Sequence, residues 1–199
     1  MGGRPPEPVP DPTAMAYAPP HPVPRADPAL DGASPTRWTS LNIGLHWLIL
    51  GLIVVQAIDH EWMNALFDAS REHAAAGGLT TTMGYLHIVT GALVFFAVAL
   101  RLWDRLAHGR PPYPDDEPGW AKRVARGTHA ALYGILLAMP VAGLAAWLTG
   151  SEAIAEAHTV LWPALLGLVA LHLAGTLADR YWFHTRIDVL ARMMPGRGR

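Results

Sequence analysis

The chain has 199 residues, of which 51% are hydrophobic and 16% charged, with a formal net charge of −1 and no cysteine. The lack of cysteine excludes disulfides, thiolate zinc sites, iron–sulfur clusters and haem attached through cysteine. The small net charge gives no basic footprint for nucleic acid. Soluble domains are about a quarter charged, so this composition points to a membrane protein.

The first 35 residues form a Pro-rich segment that differs in composition from the rest of the chain. They contain eleven of the eighteen prolines and almost no large aliphatic side chains. Such a segment buries too little apolar area to offset the entropy lost on ordering, so it is predicted to be a disordered tail. It also lacks the apolar stretch of a cleavable signal peptide. Residues 36–196 are expected to form one membrane domain.

Four apolar stretches follow the tail, each near the length of about 20 residues that crosses a bilayer as a helix. None shows the alternation typical of a strand, and backbone groups in lipid must form hydrogen bonds within their own segment. The sequence therefore predicts an all-α fold, an integral membrane four-helix bundle surrounded by lipid. The predicted spans are residues 41–58, 83–103, 128–148 and 160–178.

Lysine and arginine residues are distributed unevenly about these spans. Fourteen of the fifteen lie in the tail, around the connection between the second and third spans, or at the C-terminal end. The other two connections contain Arg71 together with six carboxylates (Asp59, Glu61, Asp68, Glu72, Glu152, Glu156). Because loops rich in Lys and Arg stay in the cytoplasm, the N- and C-termini are both expected to be cytoplasmic.

Histidines are concentrated in the predicted spans, where ionisable side chains are costly and usually functional. The spans contain His46, His87, His129 and His172, and His158 directly precedes the fourth. His158 and His172 are 14 residues apart. This spacing places them within about 40° on one helix face and about 21 Å apart along the axis. One of the two therefore lies near one side of the membrane, and the other lies toward the opposite side.

The depths of the other histidines indicate partners for these two. His46 follows the cytoplasmic start of the first span, near the depth of His172, and His87 follows the periplasmic start of the second, near the depth of His158. Two stacked imidazole pairs in a helical bundle are what two b-type haems need, because each iron takes two axial nitrogens. Glycines on the same helices would let a porphyrin approach the backbone (Gly44, Gly51, Gly91, Gly167).

Each of these features also has a simpler interpretation. A single intramembrane histidine can bond a neighbouring helix, and glycines commonly pack helices together. Arg101 and Arg105, at the cytoplasmic end of the second span, could pair with haem propionates or serve only to set topology. Helix packing alone does not explain four histidines that match pairwise in depth, so the two-haem hypothesis is favoured.

The same residues carry a resemblance to a known family. The first span is opened by RWTSLNIGLHWLIL, the second contains LHIVTG and VALRLW, and the third contains HAALYGILLAMPVAGL. The fourth contains LHLAG, and RMMP follows near the C-terminus. In this order, and with the 14-residue histidine spacing, these segments resemble the bacterial di-haem cytochrome b561 family over residues 37–196.

The resemblance implies a four-helix bundle in the bacterial inner membrane with two non-covalent haem b groups. It implies that His46 and His172 hold the iron of a haem on the cytoplasmic side. It likewise implies that His87 and His158 hold the iron of a haem on the periplasmic side. Quinone is implied as a substrate or bound cofactor.

Two further positions are compared with the family. His129 matches a histidine that members often have on the third helix, and it is expected either to line a quinone pocket or relay protons, or to pack helices. Relatives often have a His-His pair after the fourth span, where this chain has Asp179 and Arg180. No role of those histidines is therefore carried over.

Iron held by two histidines has no open coordination position, so single-electron transfer is favoured over oxygen chemistry. The leading hypothesis is an inner-membrane cytochrome that transfers electrons between the quinone pool and an unidentified periplasmic donor or acceptor. The alternative is an enzyme, a superoxide:quinone oxidoreductase, although acidic periplasmic loops repel an anionic substrate. A third hypothesis is a haem-free protein whose histidines bind zinc or relay protons, but no tight ligand spacing such as HExxH is present.

Overall fold

The computed structural model describes residues 2–3, 38–113, 117–181 and 193. These residues contain four α-helices and no strand: α1 (Ser40–Arg71), α2 (Gly78–His108), α3 (Gly119–Thr149) and α4 (Glu152–Tyr181). All four helices belong to one compact unit, residues 34–199. The predicted all-α class is confirmed. Apart from residues 2–3, the predicted Pro-rich tail lies outside the described residues.

Each helix extends beyond the apolar span predicted for it. α1 continues from residue 58 to Arg71, and α3 begins at Gly119 rather than at residue 128. His158, predicted to precede the fourth span, lies inside α4. The added segments are more polar but rich in Ala, the residue that most favours helix. Apolarity locates the part of a helix that lies in lipid, and it does not locate the ends of the helix.

The outside of the bundle is apolar. All four helices are long and apolar enough to cross a membrane. Large hydrophobic side chains such as Phe96, Leu148 and Val160 are exposed on the surface of the bundle. A continuous apolar surface of this kind is stable against lipid rather than water. The chain is therefore a multi-pass membrane protein, as the sequence predicts.

Helices adjacent in sequence pack against each other. α1 packs along α2, α3 along α4, and α2 against α3. Six buried side chains from α1 and α2 form a core against which α3 packs (Leu45, Ile49, Leu52, Val94, Ala97, Val98). On α4, Leu165 is only 2% exposed and lies seven residues from both His158 and His172. Aliphatic side chains thus form the core between α1, α2 and α3, and Leu165 is a buried aliphatic side chain of α4.

Two polar features mark the two ends of the bundle. Where α1 begins and α2 ends, the amide of Asn42 donates to Asp104 over 3.0 Å and to the Arg101 carbonyl over 3.3 Å. Thr39, which caps α1, donates to the same Asp104 oxygen over 2.6 Å. We call this the Asn42 end. The opposite end is called the Asp59 end, after a carboxylate of α1 that is fully buried.

Candidate functional site: two histidine pairs

The structure brings four of the predicted histidines together as two pairs. At the Asn42 end, the imidazole centroids of His46 and His172 are 6.2 Å apart, with ring planes inclined by 69°. At the Asp59 end, the centroids of His87 and His158 are 6.4 Å apart, with ring planes inclined by 76°. α4 contributes one histidine to each pair, and α1 and α2 contribute the partners.

The separation within each pair fits two ligands of a single metal ion. An imidazole nitrogen binds a metal at about 2 Å, so two rings on opposite sides of one ion have centroids roughly 6 Å apart. Two neutral imidazoles are also a donor set that haem iron accepts. The residues at each end of the bundle therefore fit the axial ligands of a haem b.

At the Asp59 end, hydrogen bonds orient both imidazoles of the pair. Nδ1 of His87 lies 2.6 Å from Oδ1 of Asp59, and Nδ1 of His158 lies 2.8 Å from the carbonyl oxygen of Met139. Because a carboxylate and a carbonyl accept hydrogen bonds, each Nδ1 carries the proton and each Nε2 keeps a lone pair. Metal-binding histidines characteristically have such a partner on the second nitrogen.

Gly143 of α3 gives His158 the space to reach that carbonyl. A Cβ at this position would lie 2.9 Å from Cε1 and 3.0 Å from Nδ1 of His158, closer than side chains normally approach. Gly143 follows Met139 by one helical turn, on the same face of α3. A larger residue would therefore push the ring away from its hydrogen-bond acceptor.

The sequence pointed to other glycines. A Cβ at three of them would meet nothing within 4 Å (Gly44, Gly51, Gly167). At the fourth, Gly91, a Cβ would come 3.7 Å from Gln56, in ordinary packing distance between α1 and α2. One signal in the sequence could have identified Gly143: it follows His129 by 14 residues, as His172 follows His158.

Asp59 is a second residue whose position the sequence did not reveal. In the sequence it is one of six carboxylates in the predicted loops, a position typical of a solvated side chain. The structure places it inside α1, where its side chain is 0% exposed and bonded to His87. A buried carboxylate that accepts from an imidazole of one pair belongs to the candidate site rather than to a solvated loop.

His129 is a third imidazole at the Asn42 end. Its ring centroid is 5.1 Å from that of His172, closer than expected for two ligands on opposite sides of one ion. Its Nδ1 lies 2.6 Å from the carbonyl oxygen of Ala125 in the same helix. His129 therefore lies beside the pair formed by His46 and His172, and the geometry does not make it a member.

The two arginines predicted to pair with propionates both lie at the Asn42 end. Arg101 is buried, and its guanidinium donates to the Asn42 carbonyl over 2.9 Å and to the Tyr133 hydroxyl over 3.3 Å. Arg105 lies over the ring of Tyr133, with 5.6 Å from its Cζ to the ring centroid. The Asn42 carbonyl that Arg101 binds lies one helical turn before His46 on α1. Both guanidinium groups therefore lie at the same end of the bundle as the pair formed by His46 and His172.

A metal ion held directly by protein side chains is not supported by the geometry. Within residues 38–113 and 117–181, no group of three or more His, Asp or Glu side chains is arranged to hold a metal ion. Zinc sites usually require three or four protein ligands. Paired imidazoles instead suit a cofactor that brings its own in-plane ligands.

Comparison with known proteins identifies the family of the chain. The family model for prokaryotic cytochrome b561 matches residues 37–196, which include all four helices. The chain is also 32% identical over 160 residues to cytochrome b562 of Cereibacter sphaeroides, covering 80% of this chain and 96% of that protein. The chain therefore belongs to the prokaryotic cytochrome b561 family, and it is a multi-pass cytochrome b of the bacterial inner membrane that uses haem b for electron transfer.

Proposed function

We propose that the chain is a di-haem cytochrome that transfers electrons between quinone at the Asn42 end and a redox partner at the Asp59 end. The observation that carries the proposal is the presence of two imidazole pairs, with centroids 6.2 Å and 6.4 Å apart, at opposite ends of one bundle. Haem b held between two imidazoles cycles by one electron and leaves no coordination position for oxygen.

The protein contributes the ligands and sets their orientation and spacing. His46 and His172 would hold one haem, and His87 and His158 the other. Leu165 lies midway between the two levels on α4 and is buried, so an apolar side chain separates the two pairs along this helix. The 14-residue spacing on α4 sets the pairs about 21 Å apart along the helix.

The Asn42 end is proposed to face the cytoplasm, with both termini. Described arginines and a lysine cluster there, at the end of α2 and the start of α3 (Arg101, Arg105, Arg110, Lys122, Arg123, Arg126). At the opposite end, Arg71 is ion-paired with Glu152. This asymmetry is what the positive-inside rule requires.

Quinone is proposed to bind at the Asn42 end, beside His172. His129 supports this placement because its imidazole lies 5.1 Å from that of His172 but outside the pair. An imidazole so placed can donate a hydrogen bond to a quinone carbonyl or pass on a proton. Arg101 and Arg105 would stabilise haem propionates at the same end.

An anionic donor such as superoxide is disfavoured by the surface at the Asp59 end. Glu61 and Glu152 are 77% and 71% exposed at their side chains, and Arg71 is already paired with Glu152. Negative surface potential slows the approach of anions. We therefore expect a neutral or cationic partner, and turnover of superoxide by the purified protein with quinone would contradict this choice.

Alanine variants of the four histidines test the ligand assignment. We expect His46→Ala and His172→Ala to lose the same haem, and His87→Ala and His158→Ala to lose the other, as resolved by redox titration of the purified variants. His60→Ala is the control, since His60 is an exposed histidine on α1 outside both pairs. Loss of different haems from the two members of a pair would contradict the assignment.

A further inference from the structure

The carboxylate of Asp59 is held in an unusual position for a charged group. It is 0% exposed, and its Oδ1 accepts the Nδ1 proton of His87 over 2.6 Å. Its second oxygen, Oδ2, is buried and has no hydrogen-bond partner among the described residues. The interaction of this carboxylate is therefore directed at one imidazole of the Asp59 end.

The pair at the Asn42 end has the opposite electrostatic surroundings. The cation of Arg101 is buried there and donates to the carbonyl of Asn42, which lies one helical turn before His46 on α1. Asp104 is also buried there, but its Oδ2 accepts from Thr39 and Asn42, and its Oδ1 lies 3.1 Å from Nδ1 of the exposed His108, so neither oxygen is bonded to the imidazoles of the pair. One imidazole pair thus has a carboxylate bonded to it, whereas the other has a guanidinium beside it.

These surroundings shift the reduction potential of a bound haem in opposite directions. A carboxylate that accepts the Nδ1 proton makes the imidazole a stronger donor through Nε2. Its negative charge also stabilises the oxidised iron, which carries one more positive charge than the reduced iron. A buried cation does the reverse, and both effects are large because the dielectric constant inside the bundle is low.

We propose that Asp59 is the positioning residue of His87 and that its carboxylate gives the haem at the Asp59 end the lower reduction potential of the two. The proposal rests on the proposed function, because it requires a haem at each pair. The two sites have the same ligands, two histidines each. The difference between their reduction potentials is therefore attributed to the charges of Asp59 and Arg101.

Redox titration of the full-length protein with Asp59→Asn tests the proposal. Asparagine keeps an oxygen that can accept from His87 but removes the charge. We expect one midpoint potential to rise so that the ratio of oxidised to reduced haem at a fixed ambient potential changes at least tenfold, about 59 mV for one electron. The other potential should stay unchanged. Glu61→Gln is the control because it removes an exposed carboxylate two residues away, and it should move neither potential.

The His87→Ala variant identifies which haem is affected. The wild-type haem of lower potential should be the one that this variant loses, and it should be the one that Asp59→Asn shifts. Loss of the higher-potential haem from His87→Ala would overturn the proposal. Unchanged potentials in Asp59→Asn, or equal shifts of both, would overturn it as well.

Asp59→Asn could fail to bind the second haem instead of shifting its potential. A second variant, Asp59→Glu, keeps the carboxylate and tests this case. If Asp59→Asn binds a single haem, the retained haem should be the one that His46→Ala loses, and Asp59→Glu should restore the second. Loss of both haems from Asp59→Asn, or no restoration by Asp59→Glu, would overturn the positioning role. A haem count below two in the wild-type protein would instead refute the proposed function. The haem content of the wild-type protein is therefore measured before that of any variant.

Discussion

Substitution of Gly143 by alanine tests whether the fit of His158 against α3 determines haem binding. The added Cβ would lie 2.9 Å from Cε1 and 3.0 Å from Nδ1 of His158. The same Nδ1 makes a 2.8 Å hydrogen bond to the Met139 carbonyl, one helical turn before Gly143 on α3. The ring must therefore move by a few tenths of an ångström, and this movement lengthens that hydrogen bond.

Two opposing effects determine the magnitude. Alanine favours a helix interior over glycine by about 0.5–1 kcal/mol, whereas overpacking costs about 1–3 kcal/mol. Loss of an outer hydrogen-bond partner of a metal-binding histidine lowers affinity by roughly 10- to 100-fold. We therefore expect Gly143→Ala to weaken binding of the haem at the Asp59 end by about that factor, and to leave the haem at the Asn42 end in place.

The assay is the haem content and redox titration of purified protein, with Gly134→Ala as the control. Gly134 lies on the same helix, and a Cβ there would meet nothing within 4 Å, so both haems should be retained. If Gly143→Ala binds two haems with the same potentials and stability as Gly134→Ala, then the close approach of Gly143 to His158 has no functional consequence.

Three further predictions concern packing, pH and quinone. Gly84→Ala should lower stability by about 1–3 kcal/mol in thermal denaturation in detergent, because its Cβ would come 2.9 Å from Cβ of Leu66; an unchanged melting temperature would contradict this. Burial and the nearby carboxylate of Asp179 raise the pKa of Glu117 above its ordinary value of 4.5. The free energy of unfolding therefore falls as pH rises from 4.5 through the raised pKa of Glu117, because the folded state then has to lose a proton that it binds more tightly than the unfolded state. Glu117→Gln should accordingly melt at a higher temperature than wild type at neutral pH but not at pH 4. His129→Ala should keep both haems but slow their reduction by added quinol, and loss of a haem would make His129 a ligand.

The helical architecture and the approximate depth of each histidine could be predicted from the sequence. Residues that must lie in lipid are apolar over about 20 positions, so the spans are visible without knowledge of their contacts. His158 and His172 share one helix, so their common face follows from helical geometry alone. His46 and His87 could be matched to them in depth. Successive spans cross the membrane in opposite directions, so the position of a histidine along its span gives its depth.

The outer partners of the histidines could not be predicted in the same way. Whether Asp59 reaches His87 depends on the angle and rotation at which α1 packs against α2, and neither is encoded in the spacing of residues on one helix. The role of Gly143 depends likewise on how closely α3 approaches α4. Asp59 follows an apolar span directly, and such positions are usually solvated, so composition pointed to a loop.

The most direct test of the central claim is the number of haem b groups per chain in detergent-purified wild-type protein. The count is obtained from a pyridine haemochrome spectrum and the protein concentration. Two imidazole pairs at opposite ends of one bundle predict two haems per chain, with ligands His46, His172, His87 and His158. A count of one or none would contradict the assignment of both pairs as haem sites.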